Sequence, residues 1–304
     1  MTIRSILVAT DLSVQDHLAL ERAWQLAHAH RATVKLMYVP PQGAQVPHNA
    51  AARLADAARL LEKTFGLRVT TAGSGAHRLE DVVAEARGTD LVVLPHRRER
   101  STAAFFRGQP VLRILRGCNR PVLVARQAGG GHYRRILVAT GLSRRSEALV
   151  TLAADLDAHA ELEIFHAIDT RGEARLRAAE ATEQAVRAYR AHCLRKAQEG
   201  MGTLMDSLAA HRHRLLTAIG RGDPGRQTVV QQQRSGADLV VLGKRRSPAW
   251  EDFLCGSVAH RVLIWGSSDV LVVPHEYAAA SAPVAAGRIK ETLGPGREAC
   301  DARP

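Results

Sequence analysis

Cysteine is scarce in this sequence, and its four residues lie far apart. The 304-residue chain carries Cys118, Cys193, Cys255 and Cys300, and no two of them form a C-x-x-C pair. Structural zinc sites and disulfide frameworks need cysteines at close and regular spacings. The sequence therefore argues against both, and it indicates reduced thiols with mostly structural roles.

Long apolar segments are also lacking. No apolar run approaches the roughly 20 residues that a helix needs to cross a bilayer. The first apolar stretch, SILVAT, is interrupted by Asp11, which comes too soon for a secretory signal. We therefore expect a cytoplasmic protein without a membrane partner. The composition, 46% hydrophobic and 24% charged, is that of an ordinary globular protein, and the length suggests two domains.

Several catalytic and metal-binding patterns are missing. There is no G-x-S-x-G elbow, no H-E-x-x-H pair and no Walker A ending of lysine with serine or threonine. The sequence contains 14 histidines, but pairs such as His28 with His30 are two residues apart. Side chains at that spacing point in different directions on a helix, so we assign no metal ligand. We expect that the protein is not an enzyme, with slow ATP hydrolysis as the open alternative.

The formal net charge of +12 favours anionic partners, because a positive field attracts them at long range. Most cations are scattered, and only residues 97–100 and 244–246 contain tight clusters. Aromatic residues make up 4% of the chain and do not alternate with the basic ones. Specific nucleic-acid binding is therefore not expected, since binding by charge alone is weak and depends on salt. Solvated loops are the simplest interpretation of both clusters.

An internal repeat dominates the rest of the pattern. The segment RSILVATDLS at residues 4–13 returns as RRILVATGLS at residues 134–143, and DLVVL at 90–94 returns at 238–242. Self-similarity of this kind is typical of two copies of one structural unit. The chain is therefore predicted to contain the same domain twice.

The second copy is longer than the first. The segment TVKLMYV (33–39) corresponds to ELEIFHA (161–167) at a displacement of 128 residues, whereas DLVVL is displaced by 148. The second copy therefore gains about twenty residues between these two segments. The Ala-, Arg- and Glu-rich composition of residues 173–211 predicts that this insertion is helical.

Short β-branched runs alternate with segments of helical period in each copy. This alternation predicts a parallel sheet of right-handed βαβ units, and runs such as LVVL fit a sheet covered by helices on both faces. Ser13 and Ser143 precede the first helix of each copy, where a hydroxyl can cap free N–H groups. In the first copy the predicted strands are residues 3–9, 33–39, 67–71, 90–94 and 121–125, and the predicted helices are 14–30, 48–64, 77–87 and 109–117.

Three motifs in a fixed order carry a family resemblance. ILVATD-LS begins the first copy, DLVVLG leads into a glycine pattern in the second, and VLVVP closes it. Together they resemble the universal stress protein family, in a tandem two-domain arrangement over residues 1 to about 276. The resemblance implies a Rossmann-like α/β sandwich in each domain, with five parallel strands in the order 3-2-1-4-5. It also implies that the domains pair through their last strands, so that one chain resembles the usual dimer.

The resemblance and the composition together suggest the domain boundaries. We expect a first domain over residues 1–127, a linker AGGGH over 128–132 and a second domain over 133–276. The tail, residues 277–304, has no period and is predicted to be disordered. Whether two tandem chains pair further into a homodimer stays open.

The same resemblance implies a nucleotide site. Family members that bind ATP carry G-x2-G-x9-G-[ST] together with an aspartate at the end of the first strand. Glycines let the backbone approach phosphate oxygens, and free N–H groups at a helix start bind anions. Ligands of such open sheets lie beyond the carboxyl ends of the strands, where the strand order reverses. The expected ligand is an adenine nucleotide such as ATP, with magnesium.

The second copy keeps most of this pattern. Gly243, Gly256 and Ser257 stand at matching spacings, and the next helix follows from Val258. Arg246 occupies the position of the middle glycine. An arginine cannot reproduce a tight glycine turn, but its guanidinium can hold phosphate through two hydrogen bonds. These residues form the candidate site of the second domain.

The two copies have lost complementary parts of the pattern. The first copy keeps Asp11, whose counterpart in the second is Gly141. The loss of that carboxylate removes one charge-assisted hydrogen bond, roughly 1.5 to 3 kcal/mol. The glycine pattern of the first copy is degenerate, and a proline within it has no N–H to donate. The replacing residues are Pro95, Arg98 and Gln109, and only Gly108 remains.

The sequence therefore predicts a universal stress protein that supports survival under stress, with at most one degenerate ATP site, in the second domain. The alternative is an interaction scaffold that binds no nucleotide. Such a scaffold would act on protein partners, not identified by the sequence, through the paired domains and the insertion at residues 173–211.

Overall fold

The described part of the chain forms one ten-stranded sheet with helices on both faces. The structure is a computed structural model and describes residues 3–41, 44–73, 77–96, 110–127, 131–208, 215–244, 258–274 and 277. Residues up to 127 are called the first half and residues from 131 the second half. The first half contains strands β1 Ser5–Thr10, β2 Thr33–Tyr38, β3 Val69–Thr71, β4 Leu91–Pro95 and β5 Val122–Ala125, and helices α1 His17–His30, α2 Ala50–Phe65, α3 Leu79–Glu85 and α4 Pro110–Gly117.

The second half repeats this arrangement and adds one helix. Its strands are β6 Arg135–Ala139, β7 Glu161–Ile168, β8 Leu215–Arg221, β9 Leu239–Gly243 and β10 Asp269–Val273. Its helices are α5 Ser146–Leu156, α6 Arg171–Ala178, α7 Glu183–Ser207, α8 Pro224–Ser235 and α9 Val258–Trp265. None of the described helices is long and apolar enough to span a membrane.

The strand order across the sheet is β3-β2-β1-β4-β5-β10-β9-β6-β7-β8. Within each half the strands are parallel and follow the order 3-2-1-4-5, which confirms the prediction. The halves meet at β5 and β10, which pair antiparallel with Leu123 opposite Leu271. The predicted pairing through the last strands is therefore confirmed. Because the direction reverses at this junction, the carboxyl ends of the strands lie at opposite edges of the sheet in the two halves.

Strands near the middle of each half are buried on both faces. Leu7 and Val8 in β1, and Val240 and Val241 in β9, have no exposed surface. Alternate side chains enter two separate apolar layers, one on each face. Burying a valine or leucine side chain stabilises the fold by about 1.5–3 kcal/mol. The double burial explains why the LVVL runs lack the polar alternation of a half-exposed strand.

The insertion in the second half is helical, as predicted. The longer segment contains α6, which has no counterpart in the first half, and α7, which is 25 residues long where α2 of the first half has 16. Thr182 caps the start of α7, because its hydroxyl accepts the N–H of Ala185 at 3.2 Å. Val186, Ala197, Met201 and Leu204 are its buried side chains, and most of the others are exposed. Residues 209–211 of the predicted insertion lie outside the described ranges.

A buried ion pair joins the two halves on one side of the junction. Nε of Arg22 donates to Oδ2 of Asp269 at 2.9 Å, and the guanidinium lies 4.2 Å from the centre of the Tyr133 ring. The hydroxyl of Tyr133 donates to the same oxygen at 2.9 Å. The other oxygen of Asp269 accepts the N–H groups of Arg126 and Gln127 at 2.7 and 3.1 Å. One carboxylate therefore connects α1, the end of β5 and the start of the second half.

The matching positions on the other side of the junction are apolar. In the repeat, the counterparts of Arg22, Tyr133 and Asp269 are Leu152, Ile3 and Pro121. These three residues line a single small void. The pseudo-twofold junction is therefore polar on one side and apolar on the other.

Candidate functional site

The loop after β1 has a tightly defined backbone. Thr10 donates its hydroxyl to Oδ2 of Asp16 at 3.1 Å, and the same oxygen accepts the N–H of Asp11 at 2.7 Å. The hydroxyl of Thr10 also accepts the N–H of Leu12 at 2.9 Å, and Leu12 has a φ of 60°. A leucine rarely adopts this left-handed conformation, so the surrounding hydrogen bonds hold it there.

The loop after β6 has the same backbone conformation as the loop after β1, although Gly141 replaces the aspartate. Leu142 has a φ of 53°, and its N–H donates to the hydroxyl of Thr140 at 3.2 Å. Ser146 takes the place of Asp16, contacts that hydroxyl and accepts the N–H of Ser143 at 2.9 Å. Gly141 is therefore not what shapes this loop. A threonine followed six residues later by an aspartate or serine, once in each copy, is the sequence signal for this arrangement.

The expected capping by Ser13 and Ser143 is wrong. Ser13 makes no side-chain cap at the short turn before α1, and α5 is preceded by Arg145 rather than by Ser143. The hydroxyl and carboxylate acceptors of these loops instead come from Thr10 and Asp16, which point into the loop.

Asp11 already has a role in its own loop. Its Oδ1 accepts the N–H of Ser13 at 2.8 Å, which closes a turn typical of aspartate. Asp11 follows β1, whereas Gly243 ends β9, and these strands belong to opposite halves. Their carboxyl ends lie at opposite edges of the sheet. Asp11 therefore lies beside the loop of its own half, as expected from the resemblance, and not in one site with Gly243 and Val258.

Gly243 is exposed, and the fold does not require a glycine at this position. It is the last residue of β9, and its φ is not in the left-handed region. Of the described residues, a methyl group added there would meet only Cδ2 of Leu149, at an ordinary distance of 3.7 Å. The described part of the chain therefore leaves the space next to this backbone open at the carboxyl end of the strand.

Val258 is the first residue of α9 and packs against one of the apolar layers. The chain between Lys244 and Val258, with the candidate residues Arg246, Gly256 and Ser257, lies outside the described residues. The structure thus places two of the five second-domain candidates, one on each side of that segment.

Lys244 is tied to the other half. Its Nζ donates to the carbonyl oxygens of Leu115 and Arg116, both at 2.8 Å, at the carboxyl end of α4. A cation at this end of a helix satisfies free carbonyls and is favoured by the helix dipole. The solvated-loop interpretation of residues 244–246 is therefore wrong for Lys244, because its ammonium group holds the junction.

The first half presents a different surface after β4. Pro95 lies within the strand, opposite Ala125 of β5, and the N–H of His96 donates to the carbonyl of Ala125 at 3.0 Å. The proline supplies no N–H, and the next one is used inside the sheet. Arg98, Gly108 and Gln109 lie outside the described residues.

His260, in the first turn of α9, is half-buried and close to cations. Burial lowers the pKa of His260 below its ordinary value of 6.5, and the charges of Arg116 and Arg261 lower it further. The folded state therefore disfavours the protonated ring. Above about pH 7.5 the histidine is neutral in both states and has no effect. As the pH falls through 6.5, the unfolded chain takes up a proton that the folded chain refuses, so stability falls until the pH passes below the folded-state pKa.

We expect His260→Gln to lose less thermal stability than the native protein between about pH 7.5 and pH 5. Melting temperatures measured across this range provide the test. The exposed His192→Gln on α7 is the matched control, and it should follow the native curve. Equal losses in His260→Gln and the native protein would contradict the assignment.

Within the described ranges, no group of three or more histidine, cysteine, aspartate or glutamate side chains is arranged to hold a metal ion.

The fold and the loops together define a class of protein. Two doubly wound domains of strand order 3-2-1-4-5, joined through their last strands, form the scaffold. The sequence profile of the universal stress protein family matches residues 2–126 and 132–274. The chain therefore belongs to the universal stress protein family, with two such domains in tandem. No curated protein matches the sequence.

Solved structures share the whole tandem architecture. A protein of unknown function from Pseudomonas aeruginosa PAO1 is 22% identical, with a TM-score of 0.68 over 92% of this chain and 96% of that one. A universal stress protein from Archaeoglobus fulgidus DSM 4304 is 14% identical, with a TM-score of 0.65 over 89% of this chain and 96% of that one. A further solved structure matches only about half of the chain. It is a universal stress protein in complex with cAMP, 25% identical, with a TM-score of 0.33, covering 47% of this chain and 98% of that one.

Proposed function

We propose that this chain is a cytoplasmic stress-response protein with one adenine-nucleotide site, in the second half. The site would lie beyond the carboxyl ends of β6 and β9, where the strand order reverses. ATP, with the magnesium that accompanies it, is the proposed ligand. The mechanism is that of a scaffold whose stability and partner binding respond to the nucleotide.

The open space at Gly243 carries this proposal. The fold would accept a side chain at this position, yet the sequence has none, and the exposed backbone faces the end of the sheet where anions bind in such folds. The start of α9 at Val258 adds the positive end of the helix dipole, which favours anions. The loop after β6 is already held in its folded conformation without an aspartate.

The first half is not proposed to bind nucleotide. Pro95 has no N–H, and the N–H of His96 is already used within the sheet, so neither of these two backbone positions can donate to a phosphate. Arg246, Gly256 and Ser257 remain the proposed additional phosphate contacts in the second half.

Gly243→Ala is the variant that tests the site. We expect saturating MgATP, at about a hundredfold excess over Kd, to stabilise the native protein by about 2.7 kcal/mol, seen as a rise in Tm. Gly243→Ala should leave the Tm without nucleotide nearly unchanged, because the new methyl group meets only ordinary contact. It should reduce the nucleotide-induced rise, because the methyl group occupies the space next to the backbone. Differential scanning calorimetry with and without MgATP gives both values.

Gly88→Ala is the matched control. Gly88 is a glycine of the first half with nothing within 4 Å of an added methyl group. This variant should keep the full response to MgATP. A native protein whose Tm does not change at millimolar MgATP would overturn the proposal and favour the scaffold that binds no nucleotide.

The second candidate function, an interaction scaffold that binds no nucleotide, is favoured by α7. The helix is 25 residues long, compared with 16 for α2 at the matching place in the first half, and it exposes most of its side chains. Proteins would then bind through this helix and the paired domains. No catalytic residue is proposed. Slow ATP hydrolysis would first require that ATP binds at the proposed site.

A further inference from the structure

An open groove lies at the outer end of the second half, beneath the insertion. It runs between the carboxyl ends of β7 and β8 and one face of α7, and its volume is about 370 Å³. Small-molecule sites in proteins span roughly 300–1,000 Å³. Of the described residues, those that line it include neither Gly141 nor Gly243 nor Val258. The groove is therefore distinct from the proposed nucleotide site.

Positive charge is in excess at this groove. Glu173 in α6 is almost buried, with 8% of its side chain exposed. Its carboxylate is shared by Arg190 and Arg221, and by Arg177 at 3.3 Å. One negative charge thus faces three guanidinium groups. Nε of Arg190 is buried and has no hydrogen-bond partner among the described residues, so this cluster still lacks an acceptor.

Arg187 adds a further cation one turn before Arg190 on α7. It lines the groove, is exposed, and has no carboxylate partner in the described part of the chain. Asp169, the other acidic residue of the lining, is occupied by Arg171 at 2.6 Å. Five arginines therefore surround two carboxylates at or next to the groove: Arg171, Arg177, Arg187, Arg190 and Arg221.

Apolar side chains line the groove beside these charges, together with Thr170, Tyr189 and Cys193. Ile168 and Ile219 lie at the ends of the two strands, and Ala191 and Leu194 lie on α7. Leu194 has 45% of its surface exposed, although it lies among charged side chains. An inorganic ion would leave these apolar walls in water, whereas an organic molecule would cover them. The groove thus matches a ligand with a charged end and an apolar body.

We propose that this groove binds a small organic anion. A carboxylate or phosphate monoester group would contact Arg187 and Arg190, because guanidinium groups match both geometrically. The apolar body would lie against Leu194 and Ile219. Size and lining distinguish this ligand from inorganic phosphate, and the location distinguishes it from the phosphate chain of ATP.

Calorimetric titration of the full chain tests the site. The probes are 1-naphthoate and phenyl phosphate, which carry the two kinds of anionic group. Naphthalene-1-carboxamide lacks the charge, and inorganic phosphate lacks the apolar body. We expect one saturable site for at least one of the two probes, and Kd values about tenfold higher for both controls.

Substitutions on α7 locate the binding. Arg187→Gln should raise the Kd of the probe about three- to tenfold. Leu194→Glu should weaken binding as well, because it places a negative charge on the apolar wall. Arg195→Gln is the matched control: it removes the same charge from the same helix, at an exposed position that does not line the groove, and should leave the Kd unchanged.

Three results would overturn the proposal. The first is the absence of saturable binding of either probe. The second is an equal Kd for Arg187→Gln and Arg195→Gln, which would mean that only net charge attracts the probe. The third is displacement of the probe by MgATP together with loss of probe binding in Gly243→Ala, which would make the groove part of the nucleotide site. Unchanged probe binding in Gly243→Ala supports a separate site even where the nucleotide proposal fails.

Discussion

Replacement of Asp269 by alanine is expected to lower the free energy of unfolding by about 3–5 kcal/mol. Asp269 has no exposed surface, and its partner Arg22 has 5% of its side chain exposed. Removal of the carboxylate leaves the guanidinium buried without a counter-charge. It also removes the acceptor of the Tyr133 hydroxyl and of two backbone N–H groups. Burial, reinforced by the charge of Asp269, raises the pKa of Tyr133 and keeps its proton in place as a donor.

Urea denaturation of both proteins measures this loss. Asp56→Ala is the control, because Asp56 pairs with Arg59 in an exposed contact where the two side chains are 68% and 74% exposed. Such surface pairs contribute about 0–1 kcal/mol. The double variant Arg22→Met, Asp269→Leu should recover the part of the loss that comes from the unpaired guanidinium, since it removes both charges from the buried position. The Tyr133 hydroxyl and the two N–H groups still lack an acceptor in that variant. An Asp269→Ala variant as stable as Asp56→Ala would show that the ion pair does not hold the halves together.

Asp16→Ala is expected to cost about 2–4 kcal/mol, because it leaves the buried hydroxyl of Thr10 and the N–H of Asp11 without their acceptor. Asp16 has no exposed surface, so water cannot replace the lost oxygen. The left-handed conformation of Leu12 depends on the same loop. Release of that residue would add to the loss of stability.

Asp16→Asn provides the comparison for this prediction. The amide keeps one acceptor oxygen at the same position, so its loss should be no more than about half that of alanine. Denaturant midpoints of the three proteins, with equal m-values, give the difference. Equal stabilities of the alanine and asparagine variants would mean that the carboxylate oxygen does not organise the loop.

The strands and their order could be predicted from the sequence because the repeat marks them twice. Runs such as LVVL at 91–94 and 239–242 have only one stable location, in the middle of a sheet covered on both faces. The insertion was also predictable, since its composition favours a helix at almost every position.

Contacts between distant elements could not be predicted in this way. Lys244 has the same local context as the two arginines that follow it, and nothing nearby in the sequence points to the end of α4, 128 residues earlier. The sequence around Asp269 gives no sign of a special role. The four hydrogen-bond donors to its carboxylate come from three distant segments. These contacts arise only once the two halves have docked.

The candidate site could be predicted from the sequence only in part. The glycine pattern identifies Gly243 and Val258 from local spacing alone, and the structure places them at the end of β9 and the start of α9. Asp11, the candidate residue of the first half, follows β1 at the opposite edge of the sheet. The reversal of direction at β5 and β10 separates them.

The unequal sides of the junction determine which halves can associate. Two copies of the first half, paired through β5 alone, would bring Arg22 next to Pro121 and bury a cation with no anion. Two copies of the second half would bring Asp269 next to Leu152 and bury a carboxylate with no cation. Only the mixed pair satisfies both positions, so a first half is matched to a second half and like halves of neighbouring chains are disfavoured as partners.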